Sequence, residues 1–165
     1  MIQPTPSLGF VEALNASTSK IFDFNGRSRR SEFWWTKLMV FLVSLVLTPA
    51  IGGLLDLLTI PLTIRRLHDT GRSGWWWGIG IILLFVFVAL LIGDFIFGVL
   101  RLVGNAEAGL PFVVSLILKY GLYYLILLIY QLLILIFCCM DSDPYENAYG
   151  PSPKYIQPEE YQHHL

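Results

Sequence analysis

The chain has 165 residues, of which 55% are hydrophobic and only 14% are charged. Soluble domains carry about 25% charged residues, so this composition argues against a soluble globular domain and favours a single membrane domain. The net charge of −1 identifies no partner. We expect no nucleic-acid ligand, no cofactor and no metal site.

The predicted elements begin with a loose start and a short helix. Residues 1–6 contain two prolines and are expected to be irregular. From Ser7 to about Thr18, the residues Leu8, Val11 and Leu14 recur at helical spacing. This spacing predicts an amphipathic helix that lies on the membrane surface, with an irregular segment as the alternative. Residues 1–25 are therefore predicted to be an interfacial segment, and they show no cleavable signal peptide.

The first apolar region, Phe33–Ile64, is too long for a single helix that crosses the membrane without steep tilt. A single helix over it would be about 48 Å long at 1.5 Å per residue, against a hydrocarbon core of about 30 Å. The region is broken by Thr48-Pro49 and by Gly52-Gly53. We therefore predict a hairpin of two short membrane-inserted helices, which bilayer thinning or helix packing can accommodate. A single tilted crossing is the alternative.

The distribution of basic residues favours the hairpin. A turn near Pro49–Gly53 puts eight basic residues on one side of the membrane: Lys20, Arg27, Arg29, Arg30, Lys37, Arg65, Arg66 and Arg72. With Lys154 of the tail they make nine of the 11 Lys and Arg residues, leaving Arg101 and Lys119 on the other side. Because cytoplasmic loops carry the excess of Lys and Arg, we predict that both termini are cytoplasmic.

Two further apolar runs are each long enough to cross a bilayer, which needs roughly 20 residues. Charge interrupts the run Trp75–Leu100 only at Asp94, and the run Pro111–Met140 only at Lys119. The sequence thus predicts an all-α integral membrane protein with four membrane-inserted helices in residues 26–140. Residues 141–165 follow as a cytoplasmic tail that is polar, rich in proline and partly disordered, above all in its last part, IQPEEYQHHL.

Three motifs stand in order around these apolar segments. They are FNGRSRRSEFWW (Phe24–Trp35), RRLHDTGRSGWW (Arg65–Trp76) and ENAYGPSP (Glu146–Pro153). Over about Phe22–Pro153 the chain resembles the bacterial inner-membrane family known as domain of unknown function 805. Its segment between the first two motifs is short for that family, and the segment between the last two is long. The resemblance implies a multi-pass protein of the bacterial inner (plasma) membrane, and it implies no activity.

The basic motifs supply candidate ligands for an anion. Arginine suits bidentate contacts with phosphate, and the N–H groups at the start of a helix can hold an anion. The candidate headgroup site comprises Arg27, Arg29, Arg30, Arg65, Arg66, His68, Asp69, Arg72, Ser73 and Gly74. In the alternative interpretation these arginines only set the topology and pair with Glu32 and Asp69.

A catalytic triad of His68, Asp69 and Ser73 is not expected, because adjacent side chains on a helix do not face each other. His68 is instead a candidate proton-sensitive group. The tail supplies a predicted latch that folds back against the basic loop: Asp141, Asp143, Asn147, Tyr149 and Gly150. We expect Asp141 and Asp143 to lie near Arg65, Arg66 or Arg72.

Three function classes follow. The first is a non-enzymatic membrane module whose basic cytoplasmic face binds anionic lipid headgroups or protein partners. The second is a small transporter or channel, which would assemble as an oligomer because four helices enclose little space. The third is a membrane enzyme that acts on lipid phosphates. We expect membrane lipids, anionic phospholipid among them, as partners, and homo-oligomerisation stays open.

Overall fold

The computed structural model describes residues 3–104 and 109–156 of the chain. Most of the tail segment predicted to be disordered lies outside the described residues. The described chain divides into two compact units. The first unit comprises residues 3–76 and 136–156, and the second unit comprises Trp77–Leu135.

Six helices and one small sheet make up the described chain. The helices are α1 (Phe10–Ser19), α2 (Arg30–Val46), α3 (Pro49–Leu58), α4 (Ile60–Asp69), α5 (Trp75–Gly104) and α6 (Gly109–Cys139). The sheet pairs strand β1 (Gln3–Pro4) with strand β2 (Tyr155–Ile156) in antiparallel register.

The chain reverses its direction between α2 and α3, at Leu47 and Thr48, whereas the predicted turn near Pro49–Gly53 lies within α3. Thr48 caps α3, since its side chain accepts a hydrogen bond from the Ile51 amide at 3.3 Å, and Pro49 occupies the first helical turn. A Cβ atom added at Gly52 would lie 2.2 Å from the Ser44 hydroxyl oxygen, so only glycine lets the two helices approach this closely. The amide of Ser28 donates to the carbonyl of Arg65 at 3.1 Å, which closes the far end of the hairpin.

The returning arm of this hairpin contains a break that the sequence analysis did not predict. It divides at Thr59, whose hydroxyl group donates to the carbonyl of Asp56 at 2.7 Å, and Pro61 lies in the first turn of α4. A proline is tolerated in a first helical turn, where the N–H groups have no partner in the helix. The hydroxyl and the proline together end one helix and begin the next.

The N-terminal helix forms, but its packing differs from the prediction. Helix α1 begins at Phe10, and the amide of Gly9 donates to the Glu12 carboxylate at 2.9 Å. Its buried residues are Ala13 and Ser17, whereas Val11 is 66% exposed. Small residues at the buried positions allow close packing of α1, and of the apolar residues at helical spacing, Leu8 and Leu14 are half-buried. A location of α1 on the membrane surface stays a prediction.

The expectation of an irregular start for residues 1–6 is wrong for the described part of that segment. Gln3 and Pro4 pair with Ile156 and Tyr155 in the small sheet. Thr5 extends the contact, because its amide donates to the carbonyl of Lys154 at 2.7 Å. Proline is tolerated here because a strand at a sheet edge does not need every N–H group.

The second unit consists of segments of the two longest helices. Trp75–Arg101 in α5 and Gly109–Cys139 in α6 are the two helices of the described chain that are long and apolar enough to cross a membrane. Helix α2 has 17 residues and the returning arm is divided into two helices of 10. The structure therefore contains two candidate spans where the sequence predicts four inserted helices, because the hairpin arms are short.

Polar residues inside the second unit are paired. Asp94 accepts hydrogen bonds from Lys119 at 2.5 Å and from the Tyr120 hydroxyl at 2.6 Å. The hydroxyl of Tyr123 donates to the carbonyl of Leu83 at 3.1 Å. Pairing lowers the cost of placing ionisable groups in apolar surroundings.

Candidate functional site

Two arginines and one aspartate form a buried ionic network in the first unit. Arg27 Nε donates to Asp69 Oδ1 at 3.0 Å, and Arg66 pairs with the other carboxylate oxygen, Oδ2. Ser142 also donates to Oδ2, at 2.5 Å. The side chains of the three charged residues are at most 1% exposed. We call Arg27, Arg66, Asp69 and Ser142 the buried network.

Arg27 connects the buried network to the tail through backbone carbonyls. Its Nη1 donates to the carbonyls of Tyr145 at 2.7 Å and Gly150 at 3.1 Å, and its Nη2 donates to the carbonyl of Asp143 at 2.5 Å. A charged donor makes stronger hydrogen bonds than a neutral one. The tail is therefore held to the loop before α2 by several such bonds from one side chain.

Arg66 connects the buried network to the end of α6. It donates to the carbonyls of Cys138 at 3.1 Å, Ser28 at 3.2 Å and Met140. The final carbonyls of a helix have no partner within the helix, and the guanidinium group supplies one. The predicted headgroup ligands Arg27 and Arg66 thus use their N–H groups on acceptors within the protein.

Arg65 is equally buried but less completely satisfied. Its side chain is 1% exposed, and Nη2 donates to Glu32 at 3.3 Å. Its Nε and Nη1 atoms have no hydrogen-bond partner among the described residues. The pairing of Arg65 with Glu32 and of Arg66 with Asp69 is the arrangement that the alternative interpretation of the arginines expects.

His68 contacts the tail and not Asp69. Its ring stacks on Tyr149 with 3.7 Å between centroids, and its Nδ1 lies 3.2 Å from the Gly26 carbonyl. Asn147 donates to the carbonyl of His68 at 2.9 Å. Burial lowers the pKa of His68, although the contact with the Gly26 carbonyl acts in the opposite direction. Two residues of the predicted latch, Asn147 and Tyr149, therefore lie directly against the last turn of α4.

The residues before α5 have local structural contacts. The guanidinium group of Arg72 lies 3.9 Å from the centre of the Phe137 ring and donates to the Thr70 carbonyl at 3.1 Å. Ser73 accepts a hydrogen bond from the Trp75 amide at 3.3 Å, which is a common arrangement before a helix. A Cβ atom at Gly74 would lie 2.8 Å from the Ile64 side chain. An anion at this helix start stays a prediction.

Asp141 and Asp143 have different partners from those expected. Asp141 pairs with Arg30 at 3.3 Å and with Lys154 at 2.5 Å, whereas the Asp143 carboxylate accepts from the Tyr145 amide at 3.2 Å. Asp141 and Asp143 were expected to lie near Arg65, Arg66 or Arg72, and the arginine that pairs with Asp141 is Arg30. Asp69 and the backbone carbonyls of Ser28, Cys138 and Met140 occupy the N–H groups of Arg66, so these carboxylates remain nearer the surface.

A cavity of about 180 Å³ lined by serine and basic residues lies beside this surface pair. We call it the tail pocket, and its lining residues are Ser7, Arg29, Arg30, Ser31, Ser142 and Lys154. Arg29 donates to the carbonyl of Thr5 at 3.0 Å, which ties the pocket to the start of the chain. Of the predicted headgroup ligands, Arg29 and Arg30 lie at this pocket. Lys154, which directly follows the third motif, was not predicted as a site residue.

Charge pairing shifts the pKa values of two residues at the tail pocket, Asp141 and Lys154. Burial acts to raise the pKa of Asp141, but the hydrogen bonds from Lys154 and the Ser142 amide, together with Arg30, hold it below its usual value. Burial acts to lower the pKa of Lys154, but the hydrogen bond to Asp141 holds it above its usual value. Both groups are therefore charged at neutral pH.

Comparison with known proteins identifies the family. The model of the family described as protein of unknown function (DUF805) matches residues 21–57 and 48–151. The chain belongs to the DUF805 family. Inner membrane protein YhaH of Escherichia coli K12 is 27% identical over 153 residues, which cover 79% of this chain and 87% of the relative. The protein of the same name from Escherichia coli O157:H7 matches to the same extent.

No solved structure matches this DUF805 chain. The family description and the relatives agree with the resemblance seen in the three motifs: this DUF805 chain has two helices apolar enough to cross a membrane, and its relatives are named inner membrane proteins. Neither printed description names a reaction or a ligand.

Proposed function

We propose that this DUF805 protein is a non-enzymatic, multi-pass inner-membrane module whose basic cytoplasmic face binds anionic lipid headgroups. In this proposal α2 and the arm formed by α3 and α4 enter the membrane as a short hairpin, and α5 and α6 cross it. Both termini are then cytoplasmic. The reversal between α2 and α3 supports this topology, because it returns Arg65 to Ser28 at the start of α2.

The tail pocket is the observation that carries the proposal. Three cations, Arg29, Arg30 and Lys154, surround a cavity of about 180 Å³, and Asp141 is the carboxylate paired with two of them. The pocket therefore has a positive balance. Arginine donors suit phosphate geometry, and each basic residue near an anionic leaflet contributes about 1 kcal/mol.

The buried network explains why such a pocket would be preorganised. Arg30 and Lys154 lie far apart in the sequence, and Arg27 holds the intervening tail through three of its carbonyls. The main-chain contact between Thr5 and Lys154 fixes the other side of the pocket. A headgroup would thus meet donors that are already in place, which lowers the entropic cost of binding.

A lipid-exchange experiment tests the proposal. The purified protein is placed in nanodiscs, and the enrichment of phosphatidylglycerol over phosphatidylcholine around it is measured by native mass spectrometry. We expect clear enrichment for the wild type and reduced enrichment for Arg30→Gln and Lys154→Gln. Higher salt should weaken the preference, because the pocket is partly exposed.

Arg101→Gln provides the matched control, because it removes one positive charge that lies outside the tail pocket. The proposal predicts that this variant keeps the wild-type lipid preference. Equal enrichment in all four proteins would mean that the pocket residues pair internally and bind no headgroup.

A further inference from the structure

A second cavity of the first unit lies among α1, α2, α3 and α4. Its volume is about 120 Å³, and most of its wall is apolar, including Met39, Val40 and Leu55. Lys20 and Arg65 contribute cationic side chains to the same wall. The cavity is partly open to the surroundings. It shares no lining residue with the tail pocket.

Arg65, which lines this cavity, has buried hydrogen-bond donors that are not satisfied. Its side chain is 1% exposed, and its Nε and Nη1 atoms have no hydrogen-bond partner in the part of the chain that the structure describes. Leaving buried donors unsatisfied is costly, more so when they are charged. An unsatisfied buried group in a native protein commonly indicates a bound water, ion or ligand.

The hydroxyl groups of the wall narrow the kind of ligand. Thr36 donates to the carbonyl of Glu32 at 2.8 Å, so Ser17 is the donor in the 2.7 Å bond between Ser17 and Thr36. Thr59 donates to the carbonyl of Asp56 at 2.7 Å. These hydroxyl protons are already used, so the donors that remain on the wall belong to its two cations, Arg65 and Lys20. The complementary group is one that accepts hydrogen bonds, such as a carboxylate.

Charge and size narrow the ligand further. Arg65 and Lys20 are positively charged, and both interact electrostatically with Glu32; burial raises the pKa of Glu32, and the two cations act to lower it. With Glu32 ionised as the partner of Arg65, one positive charge is left uncompensated, and a singly charged anion neutralises it. An apolar cavity of roughly 150 Å³ holds benzene. A cavity of about 120 Å³ therefore holds a carboxylate and the first few carbons of a chain.

We propose that this cavity binds the carboxylate and first methylene groups of a single-chain fatty acid, with the carboxylate on Arg65. The apolar side chains Met39, Val40 and Leu55 contact the alkyl chain, whose remainder leaves through the open side. The site is separate from the proposed headgroup site, since it uses neither Arg30 nor Lys154.

Equilibrium binding of labelled decanoate to the full chain in nanodiscs tests this site, with decanol and decyl phosphate as matched probes. Two charge-assisted hydrogen bonds make decanoate bind at least about tenfold more tightly than decanol. The single compensating charge favours decanoate over decyl phosphate. Equal binding of decanoate and decanol, or tighter binding of decyl phosphate, would overturn the proposal.

Two substitutions separate the site from the fold. Arg65→Gln removes the donors, and Leu55→Trp fills the cavity without touching a charge; each should weaken decanoate binding by about tenfold or more. Leu54→Trp is the matched control, because Leu54 is 63% exposed and lies outside the cavity. If Arg65→Gln fails to fold, Leu55→Trp against Leu54→Trp still decides the question.

Wild-type affinity in Leu55→Trp would show that decanoate binds outside this cavity and would overturn the proposal. Arg30→Gln should leave decanoate binding unchanged, which keeps this result independent of the phosphatidylglycerol experiment.

Discussion

The two units of this chain differ in the exposure of their ion pairs, because among the described residues only the first unit encloses any. In the first unit the ion pairs of Asp69 are enclosed, with side chains at most 1% exposed. In the second unit the pair of Asp94 and Lys119 leaves 28% and 45% of the two side chains exposed. Enclosed ions have no solvent to replace a lost partner, so each depends on its protein contacts. Some arginines of the motifs are therefore buried and stabilise the fold, whereas others lie at the surface.

The largest expected effect is from Asp69→Asn. This change leaves Arg27 and Arg66 buried without their anion, and breaking a buried pair costs about 3–5 kcal/mol. We expect loss of folded protein, or a greatly lowered midpoint of thermal unfolding in detergent. Asp56→Asn is the matched control: its partner is Lys37, its side chain is 59% exposed, and exposed pairs contribute about 0–1 kcal/mol. Comparable losses in the two variants would contradict the comparison.

Two adjacent glycines in α3 test how closely this helix packs against α2. A Cβ atom at Gly52 would lie 2.2 Å from the Ser44 hydroxyl, whereas one at Gly53 would meet nothing within 4 Å. Gly52→Ala should therefore lower the free energy of unfolding by about 1–3 kcal/mol through overpacking. Gly53→Ala should be neutral or stabilise α3 by about 0.5–1 kcal/mol, since alanine favours helix. Thermal unfolding in detergent measures both, and identical shifts would show that α2 and α3 do not pack this closely.

The buried histidine predicts a dependence of stability on pH. The pKa of His68 is lowered from its ordinary 6.5, so the folded state favours the neutral ring. The unfolded chain then binds more protons between the two values, and stability rises with pH there. Stability should be complete above about pH 6.5 and should fall as the pH drops through the lower folded pKa. His68→Gln should flatten this part of the profile, measured as unfolding temperature between pH 7.5 and 5.5, and an unchanged slope would assign the effect elsewhere.

The smallest expected effect belongs to the surface pair of Arg30 and Asp141, whose side chains are each 46% exposed. A double-mutant cycle with Arg30→Ala and Asp141→Ala should give a coupling of about 0–1 kcal/mol that decreases with salt. Chemical unfolding of the four proteins provides the measurement. A coupling energy as large as the loss of stability in Asp69→Asn would show that the surface pair stabilises the fold as much as the enclosed pairs do.

The sequence predicted those parts of the fold that have local signals. Thr48-Pro49 and Gly52 identified the chain reversal, and the length of the two apolar runs identified α5 and α6. The division at Thr59 was missed, because Pro61 was hidden in an otherwise apolar stretch. The clustering of the basic motifs near the tail was also predicted, but the partners within the cluster were assigned by charge alone.

Most contacts that the sequence did not predict involve uncharged backbone groups. The guanidinium groups of Arg27 and Arg66 bind mainly backbone carbonyls, and every residue carries a carbonyl, so no sequence pattern identifies them. The pairing of Gln3 with Ile156 is equally invisible, because two-residue strands have no periodicity. Lys154 became a candidate only through the position that this pairing gives it.

The contact between Arg66 and the carbonyl of Cys138 also has a consequence for biosynthesis. The two residues are separated by 72 positions in the chain. At about 5–20 residues per second, the acceptor is made several seconds after the donor. During that interval Arg27, Arg66 and Asp69 lack the acceptors contributed by the tail. A nascent or truncated chain that ends within α6 therefore carries an incompletely satisfied ionic cluster.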